Sequence, residues 1–418
     1  MVSHVTLLGL ALGALACASP RRSSASAPEG VGAIQPLAAG EQGFALACGK
    51  LFTLNDADEV FAPGLVVVRG GRIDYAGPRV ELPVGYDVID APELWAAPGM
   101  IDLHSHIQTG GWGDINDMVL SMNPEYRTSP TIVPGNRDIQ RACSAGVTTL
   151  FGIPGSGTNN SGFGVLYKTR CSGGYESCVL RDPGGMKVAQ AYNPERRVDL
   201  GATRSGMAWT ISQALEMAIA ANEQGRRHNS LTNLQRVATG DLPVLIHTAG
   251  SDAVHTTIEM WGERYPDTRP VLSHGCFDGW KVAPYAARVG VPVNLGPRTF
   301  DWRQSEGEWV GTPERYAKAG AHLITLNTDA PVMPQEELFL QGAMGARYGA
   351  DPYLMLKGCT VNPAKSFGID DKVGSLQPGR HADIVLWRGD PLDPRARVES
   401  VWIEGTLEYD RARDRQRF

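Results

Sequence analysis

The stretch Ala97–His106, "APGMIDLHSH", decides how this chain is read. Two histidines stand one residue apart at the end of an apolar run, directly after Pro98-Gly99. Side chains alternate across a β-strand, so such a strand turns His104 and His106 to the same side, and Asp102 shares it. Two neutral imidazoles in one place pack poorly but make a natural metal clamp. A His-x-His pattern is common by itself, so the rest of the chain has to settle its meaning.

Downstream, apolar strand-like runs alternate with helix-compatible stretches: "GVTTLFGIP", "GFGVLYKTR", "MKVAQAY", "PVLIHTAG", "PVLSHGC", "GVPVNLGP" and "HLITLNTDAP". Between them lie segments such as "SGMAWTISQALEMAIAANEQGRR", with apolar residues at helical spacing. With "GMIDLHSH" as the first, these runs predict an α/β fold, a (β/α)8 TIM-like barrel over residues 98–366. The run before the third strand, "GSGTNNSGFG", reads as a long loop. Before the barrel, "GFALACGKLFTL" and "GLVVVRGGRIDYAG" alternate, with a Gly70-Gly71 hairpin signal, and "YDVID" follows. After it, "HADIVLW" and "RVESVWIEGTLEY" return to the same texture. Residues 44–97 and 367–418 are therefore expected to build one composite β-sandwich, with the barrel inserted between its halves.

Three further strand ends carry polar groups. His247 ends "VLI", His274 ends "VLS", and Asp329 follows "LITLNT". Barrel active sites are built at the carboxyl ends of the strands, where loops converge. A lone strand-end histidine is an ordinary hydrogen-bonded residue, but three histidine-bearing strands and one aspartate-bearing strand are hard to reach by chance. Four imidazoles and a carboxylate suit Zn²⁺ or a similar divalent ion. His255, His322 and His381 fall in a helical segment, ahead of the last strand, and in the C-terminal hairpin, so none is expected at the site. "GSGTNNSG" lacks the Lys-Ser/Thr ending of a phosphate loop, and Asn159 starts a glycosylation sequon.

Composition bounds the partners. The 418 residues carry a net charge of −6, with 42% hydrophobic and 20% charged residues. That balance excludes binding to nucleic acid or an anionic membrane on charge alone and leaves a small-molecule substrate. "VTLLGLALGALA", Val5–Ala16, has signal-peptide length and is too short to span a bilayer. Residues 1–18 are read as the signal and 19–43 as a disordered linker. Ala16-Cys17 suits lipoprotein processing with a lipid anchor at Cys17, while "ACA" ending at Ala18 suits ordinary cleavage; both stay open. The expectation is an exported protein without a membrane span in its mature form, periplasmic or an outer-membrane lipoprotein if bacterial. In that compartment Cys171 and Cys178, flanking "SGGYES", are expected to form a disulfide.

"PGMIDLHSH", His247, His274 and Asp329, followed by "NPAKSFGIDDKVGSLQPGRHADIVLW", resemble the amidohydrolase superfamily, with the imidazolonepropionase-like branch the nearest in look. The resemblance runs from about Phe44 to Trp402. It implies a metal-dependent hydrolase with a distorted barrel, cleaving a C–N bond in an amide, cyclic amide or small dipeptide. It also implies one or two ions, held by His104, His106, Lys187, His247, His274 and Asp329. In this family a carboxylated lysine on the fourth strand often bridges two metals, and "GGMKVAQAYNPERR" puts Lys187 there. Lys187 also reads as a lysine snorkelling from a strand end. Relatives often have Gly-Glu-Asn where this chain has Ala191-Tyr192-Asn193, so an acidic substrate contact is missing.

A metal in such a site lowers the pKa of its bound water and polarises the scissile carbonyl. Asp329 is then the general base that passes the water's proton to the leaving nitrogen. His274 is a second-metal ligand or, with one metal, orients the substrate carbonyl. Two alternatives stand beside this. A heterocycle deaminase of this superfamily usually has a glutamate three residues after the fifth-strand histidine, where this chain has Gly250. An exported metal- or ligand-binding protein without catalysis is the other. Trp112 and Trp302, in loops of the barrel, hint at an apolar wall.

Overall fold

The computed structural model describes residues 34–38, 40–110, 115–170, 173–196, 201–303 and 306–415. The leader, Cys17, most of the linker, Trp112 and Cys171 lie outside the described residues, and the Cys171–Cys178 pairing with them. The Cys178 thiol donates to the Tyr175 carbonyl at 3.1 Å.

Eight strands form the barrel sheet in chain order: β1 (Met100–Ser105), β2 (Val147–Gly152), β3 (Asn160–Lys168), β4 (Val179–Ala189), β5 (Pro243–Thr248), β6 (Arg269–His274), β7 (Val293–Leu295) and β8 (Ile324–Leu326). Every strand expected from the sequence is present. The ladder is nearly closed: Ser105 bridges Ala330, and His106 N–H donates to the Ala330 carbonyl at 2.8 Å. Helix Arg204–Glu223, capped by Thr203, covers the segment read as helical.

The distortion sits at β3, which runs antiparallel to both β2 and β4. Only residues 153–159 separate β2 from β3, short of the dozen or so that a parallel crossover requires. Among the described residues of the β3–β4 connection, the longest helix is the one-turn Tyr175–Cys178. The uniform helical crossovers anticipated around the barrel therefore fail here, and two hairpin-like connections replace them.

Both chain ends build a second sheet. Gly43–Phe52, Val60–Phe61, Gly64–Arg69, Arg72–Pro78 and Asp87–Pro98 come from the N-terminal side. Ile384–Arg388, Arg397–Ile403 and Thr406–Asp410 complete it, joined where Ala97 pairs with Val385. Asp87–Pro98 runs into β1 through Gly99, where a Cβ would lie 2.0 Å from Thr148 Oγ1. The glycine after Pro98 is thus required by close approach. The buried Lys168 ammonium at the end of β3 pairs with Asp383, which also accepts from Glu404 N–H at 3.0 Å, tying barrel to sheet. Ile101, Leu103, Leu245, Val271 and Phe367 share one buried cluster, each side chain stabilising the fold by roughly 2 kcal/mol. Among the described residues, no helix is long and apolar enough to cross a membrane.

Candidate metal centre and active site

The strand ends bring His104, His106, His247, His274 and Asp329 together. The ring centroids of His104 and His274 are 4.5 Å apart, and those of His247 and His274 are 4.4 Å apart. Asp329 Oδ1 lies 3.2 Å from His104 Nε2 and 3.3 Å from His106 Nε2, and its Oδ2 lies 4.0 Å from His274 Nε2. Two overlapping donor groups result, His104–His247–His274 and His104–His106–Asp329, each with its ligand atoms within 4.8 Å of one another. The backbone bends sharply to deliver two of them: His274 has φ 76° and Asp329 has φ 50°, a region that non-glycine residues rarely adopt.

The outer nitrogens are anchored, which fixes what the inner ones offer. His106 Nδ1 faces the Ile153 carbonyl at 3.0 Å and His274 Nδ1 faces the Gly296 carbonyl at 3.1 Å. A carbonyl only accepts, so each Nδ1 carries the proton, and in the neutral ring Nε2 presents a lone pair. His104 Nδ1 meets Ser273 Oγ at 2.6 Å. His104 Nε2, His274 Nε2 and His247 Nδ1 are buried with no hydrogen bond of their own. Burial pushes His104 and His247 well below the ordinary histidine range and lowers His274, so neutral rings are favoured. Burial works against the Asp329 carboxylate; wherever a facing ring is protonated, the charge of His104 and the hydrogen bonds from His104 and His106 hold the carboxyl well below the usual range. Unprotonated nitrogens facing a carboxylate are poor company unless a cation stands among them. The donor set fits a borderline divalent ion such as zinc.

Lys187 lies on β4, fully buried, with its ammonium donating to Ser156 Oγ at 2.7 Å. Burial pushes it down to about 7 against the pull of Asp329. Asp102, placed by strand alternation beside the histidines, does not join the donors. Its carboxylate turns to the seam of the barrel and accepts from Thr328 and Gln335. His322 is exposed ahead of β8, His255 stacks on Tyr285 with centroids 4.8 Å apart, and His381 pairs with Glu404 at 3.0 Å. Asn159 is buried and donates to Thr210 Oγ1 at 2.8 Å, so its sequon is not presented to solvent. Trp302 is exposed on a short hairpin, its ring 5.0 Å from that of Trp309.

Sequence reasoning missed the groups that orient these ligands: Ser273, Ser156 and the carbonyls of Ile153 and Gly296. Ser273 left a trace, since it precedes His274 and pairs in register with His247. The carbonyls leave none.

Residues 216–407 match the model of the amidohydrolase family. Together with the barrel and terminal sheet, and with the relatives below, this match supports the resemblance to the amidohydrolase superfamily. The chain is 29% identical to a solved amidohydrolase from Thermotoga maritima MSB8, with a TM-score of 0.78, covering 88% of this chain and all (100%) of that one. It is 24% identical over 363 residues to imidazolonepropionase of Shewanella oneidensis, covering 77% of this chain and 86% of that protein. Amidohydrolase tasK of Hapsidospora irregularis is 25% identical over 400 residues, 83% of this chain but 40% of that much longer protein. The resemblance read from the motifs is borne out at the level of the superfamily, and with it a hydrolase.

Proposed function

We propose that this chain is an exported, metal-dependent amidohydrolase that cleaves a C–N bond in an amide, cyclic amide or small dipeptide. The observation that carries it is Asp329 Oδ1, 3.2 and 3.3 Å from the Nε2 atoms of His104 and His106, beside two further buried imidazoles. His104, His106, His247, His274 and Asp329 would hold the metal, zinc by the chemistry of the donors, and Lys187 as its carbamate would complete a second site. A divalent ion there supplies Lewis acidity and a water that ionises near neutral pH.

The chain's own residues do the rest. Asp329, set among the imidazoles of His104, His106 and His274, takes a proton from the attacking water and delivers it to the leaving nitrogen. His274, held by Gly296 through Nδ1, keeps its Nε2 turned inward toward the substrate carbonyl or a second ion. Ser273 and Ile153 fix His104 and His106 so that neither ring has to reorganise during reaction.

Deamination is disfavoured by Gly250. Its φ is 81°, and a Cβ there would meet Tyr192 Oη at 3.0 Å, so a glutamate base at this position would be strained and crowded. Turnover of a panel of N-acyl amino acids, dipeptides and cyclic amides by the zinc-loaded protein tests the proposal. Hydrolysis of at least one class with release of the amine is expected; deamination of a heterocycle with none of these cleaved would overturn it. Fractionation of cells expressing the full chain checks export.

A further inference from the structure

Two aromatic residues at the carboxyl end of the barrel occupy backbone conformations that aromatic residues avoid. Tyr192, just past β4, has φ 60°, and Phe277, three residues after His274, has φ 58°. In this left-handed region Cβ crowds the backbone, so a bulky side chain there is strained and glycine would relieve it. Core packing does not explain why rings are kept: Phe277 is 55% exposed and Tyr192 is 36% exposed. Strain retained at exposed side chains beside a reaction centre marks a functional demand on those side chains.

The two rings face each other, with centroids 5.5 Å apart at 52°. They span the loop after β5, because Tyr192 Oη lies 3.0 Å from where a Cβ of Gly250 would stand. That loop is itself tied to the β6 loop by Gly250 N–H donating to the Cys276 carbonyl at 3.2 Å. The pair thus lies across the exits of β4, β5 and β6, the strands that carry Lys187, His247 and His274.

Both residues are held in place. Tyr192 N–H donates to Glu195 Oε1 at 3.0 Å, and the Arg204 guanidinium lies 5.6 Å from the Tyr192 ring centroid. Arg204 is fixed in turn by Glu195, at 3.1 Å, and by Asp252. On the other side, the Asp301 carboxyl lies against the Phe277 backbone. A mouth braced in this way presents two preorganised aromatic surfaces. Such surfaces favour a flat or bulky apolar group through area and ring geometry.

Resting on the amide-hydrolase reading above, we infer that Tyr192 and Phe277 form the specificity wall of the site and select substrates bearing an aromatic or large apolar side group next to the scissile bond. The test compares N-acetyl-L-phenylalanine with N-acetyl-L-alanine, by kcat/KM and by calorimetric binding, in the zinc-loaded protein. Wild type is expected to prefer the phenylalanine compound by about 10- to 100-fold, the scale on which an apolar pocket discriminates. Phe277→Ala is expected to lower that ratio about tenfold. Phe277→Leu, with a melting curve to establish folding, separates loss of the ring from loss of structure and is expected to fall between the two. Equal handling of both compounds by wild type, or a ratio unmoved in the folded Phe277→Ala and Tyr192→Ala proteins, overturns the inference. Binding preference for the phenylalanine compound, with neither it nor any dipeptide or cyclic amide of the panel above hydrolysed, leaves the wall standing and sinks the amide-hydrolase reading instead.

Discussion

Asp102 Oδ2 accepts both the backbone N–H of Thr328, at 2.9 Å, and its hydroxyl, at 2.7 Å, fastening the first barrel strand to the loop that delivers Asp329. The same oxygen accepts from Gln335 Nε2 at 2.8 Å, while Oδ1 accepts from His104 N–H at 2.8 Å. A buried carboxylate engaged in this way is a clasp between the two halves of the donor cluster. Asp102→Ala leaves buried donors without an acceptor, each costing about 1–3 kcal/mol. A loss of at least about 3 kcal/mol in urea denaturation is expected, together with weakened metal retention. Unchanged stability would show that the clasp is dispensable.

The metal assignment separates histidines by position. His104→Ala and His106→Ala each remove a ring that faces Asp329, whereas His322→Ala alters an exposed residue ahead of β8. Metal analysis of purified protein is expected to find the first two depleted and the third fully loaded. Full occupancy in the His106→Ala protein would remove that residue from the ligand set.

Much of this site was legible because barrel chemistry gathers at strand ends, and the candidate donors stand at the ends of apolar runs that read as strands. The antiparallel β3 was less legible. Its flanking connections are too short for crossovers, and "GSGTNNSG" could be seen as a loop, but alternation alone gives no strand direction. Asp102 shows the other limit. The pattern put it beside the histidines, yet register shifts between Met100 and Ile101 and between Asp102 and Ser105 break simple alternation in β1. What its carboxylate touches, Thr328 and Gln335, lies across the barrel seam, beyond any local signal.

Acid should loosen the terminal sheet at Glu404. The hydrogen bond from His381 is the main reason its carboxyl is held at about 2, below the ordinary 4.5, with burial opposing and Lys168 and Arg170 assisting. Because the folded value is the lower one, the stabilisation is full above about 4.5 and disappears as pH falls toward 2. The side chain is 33% exposed, so solvent screening reduces the effect to about 1 kcal/mol. The stability difference between wild type and Glu404→Gln should therefore close across that window in acid titrations followed by circular dichroism. A difference that persists at the acid end would place its origin elsewhere.

Asp329 should matter more to rate than to metal. It is one donor among several imidazoles, but it is the carboxylate that faces all three of His104, His106 and His274. Loss of a positioned acid–base group costs about 10²–10⁴ in rate. Asp329→Asn is expected to show that loss in kcat while retaining most of its metal. Near-wild-type turnover of a cleavable amide would require another base.

Lys187 decides between one ion and two. A free ammonium directed at a divalent cation is repelled, and the buried Lys187 has the Ser156 hydroxyl at 2.7 Å as its hydrogen-bond acceptor. With burial pushing the group down to about 7, a substantial fraction is neutral amine near physiological pH. A neutral amine adds to CO₂, forming a new C–N bond and releasing a proton, and the product is an anion with two ligating oxygens. That change would explain why the chain supplies four histidines and an aspartate, more than one tetrahedral ion needs. The rival arrangement holds one ion with His104, His106, His247 and Asp329 and leaves His274 to orient the substrate. Metal stoichiometry is expected at about two ions per chain for the carbamate and about one for the rival. Lys187→Ala is expected to drop the count to about one and to depress turnover. A Lys187→Ala protein with unchanged metal content and unchanged activity would end the two-metal reading and leave Lys187 as a buried lysine bonded to Ser156.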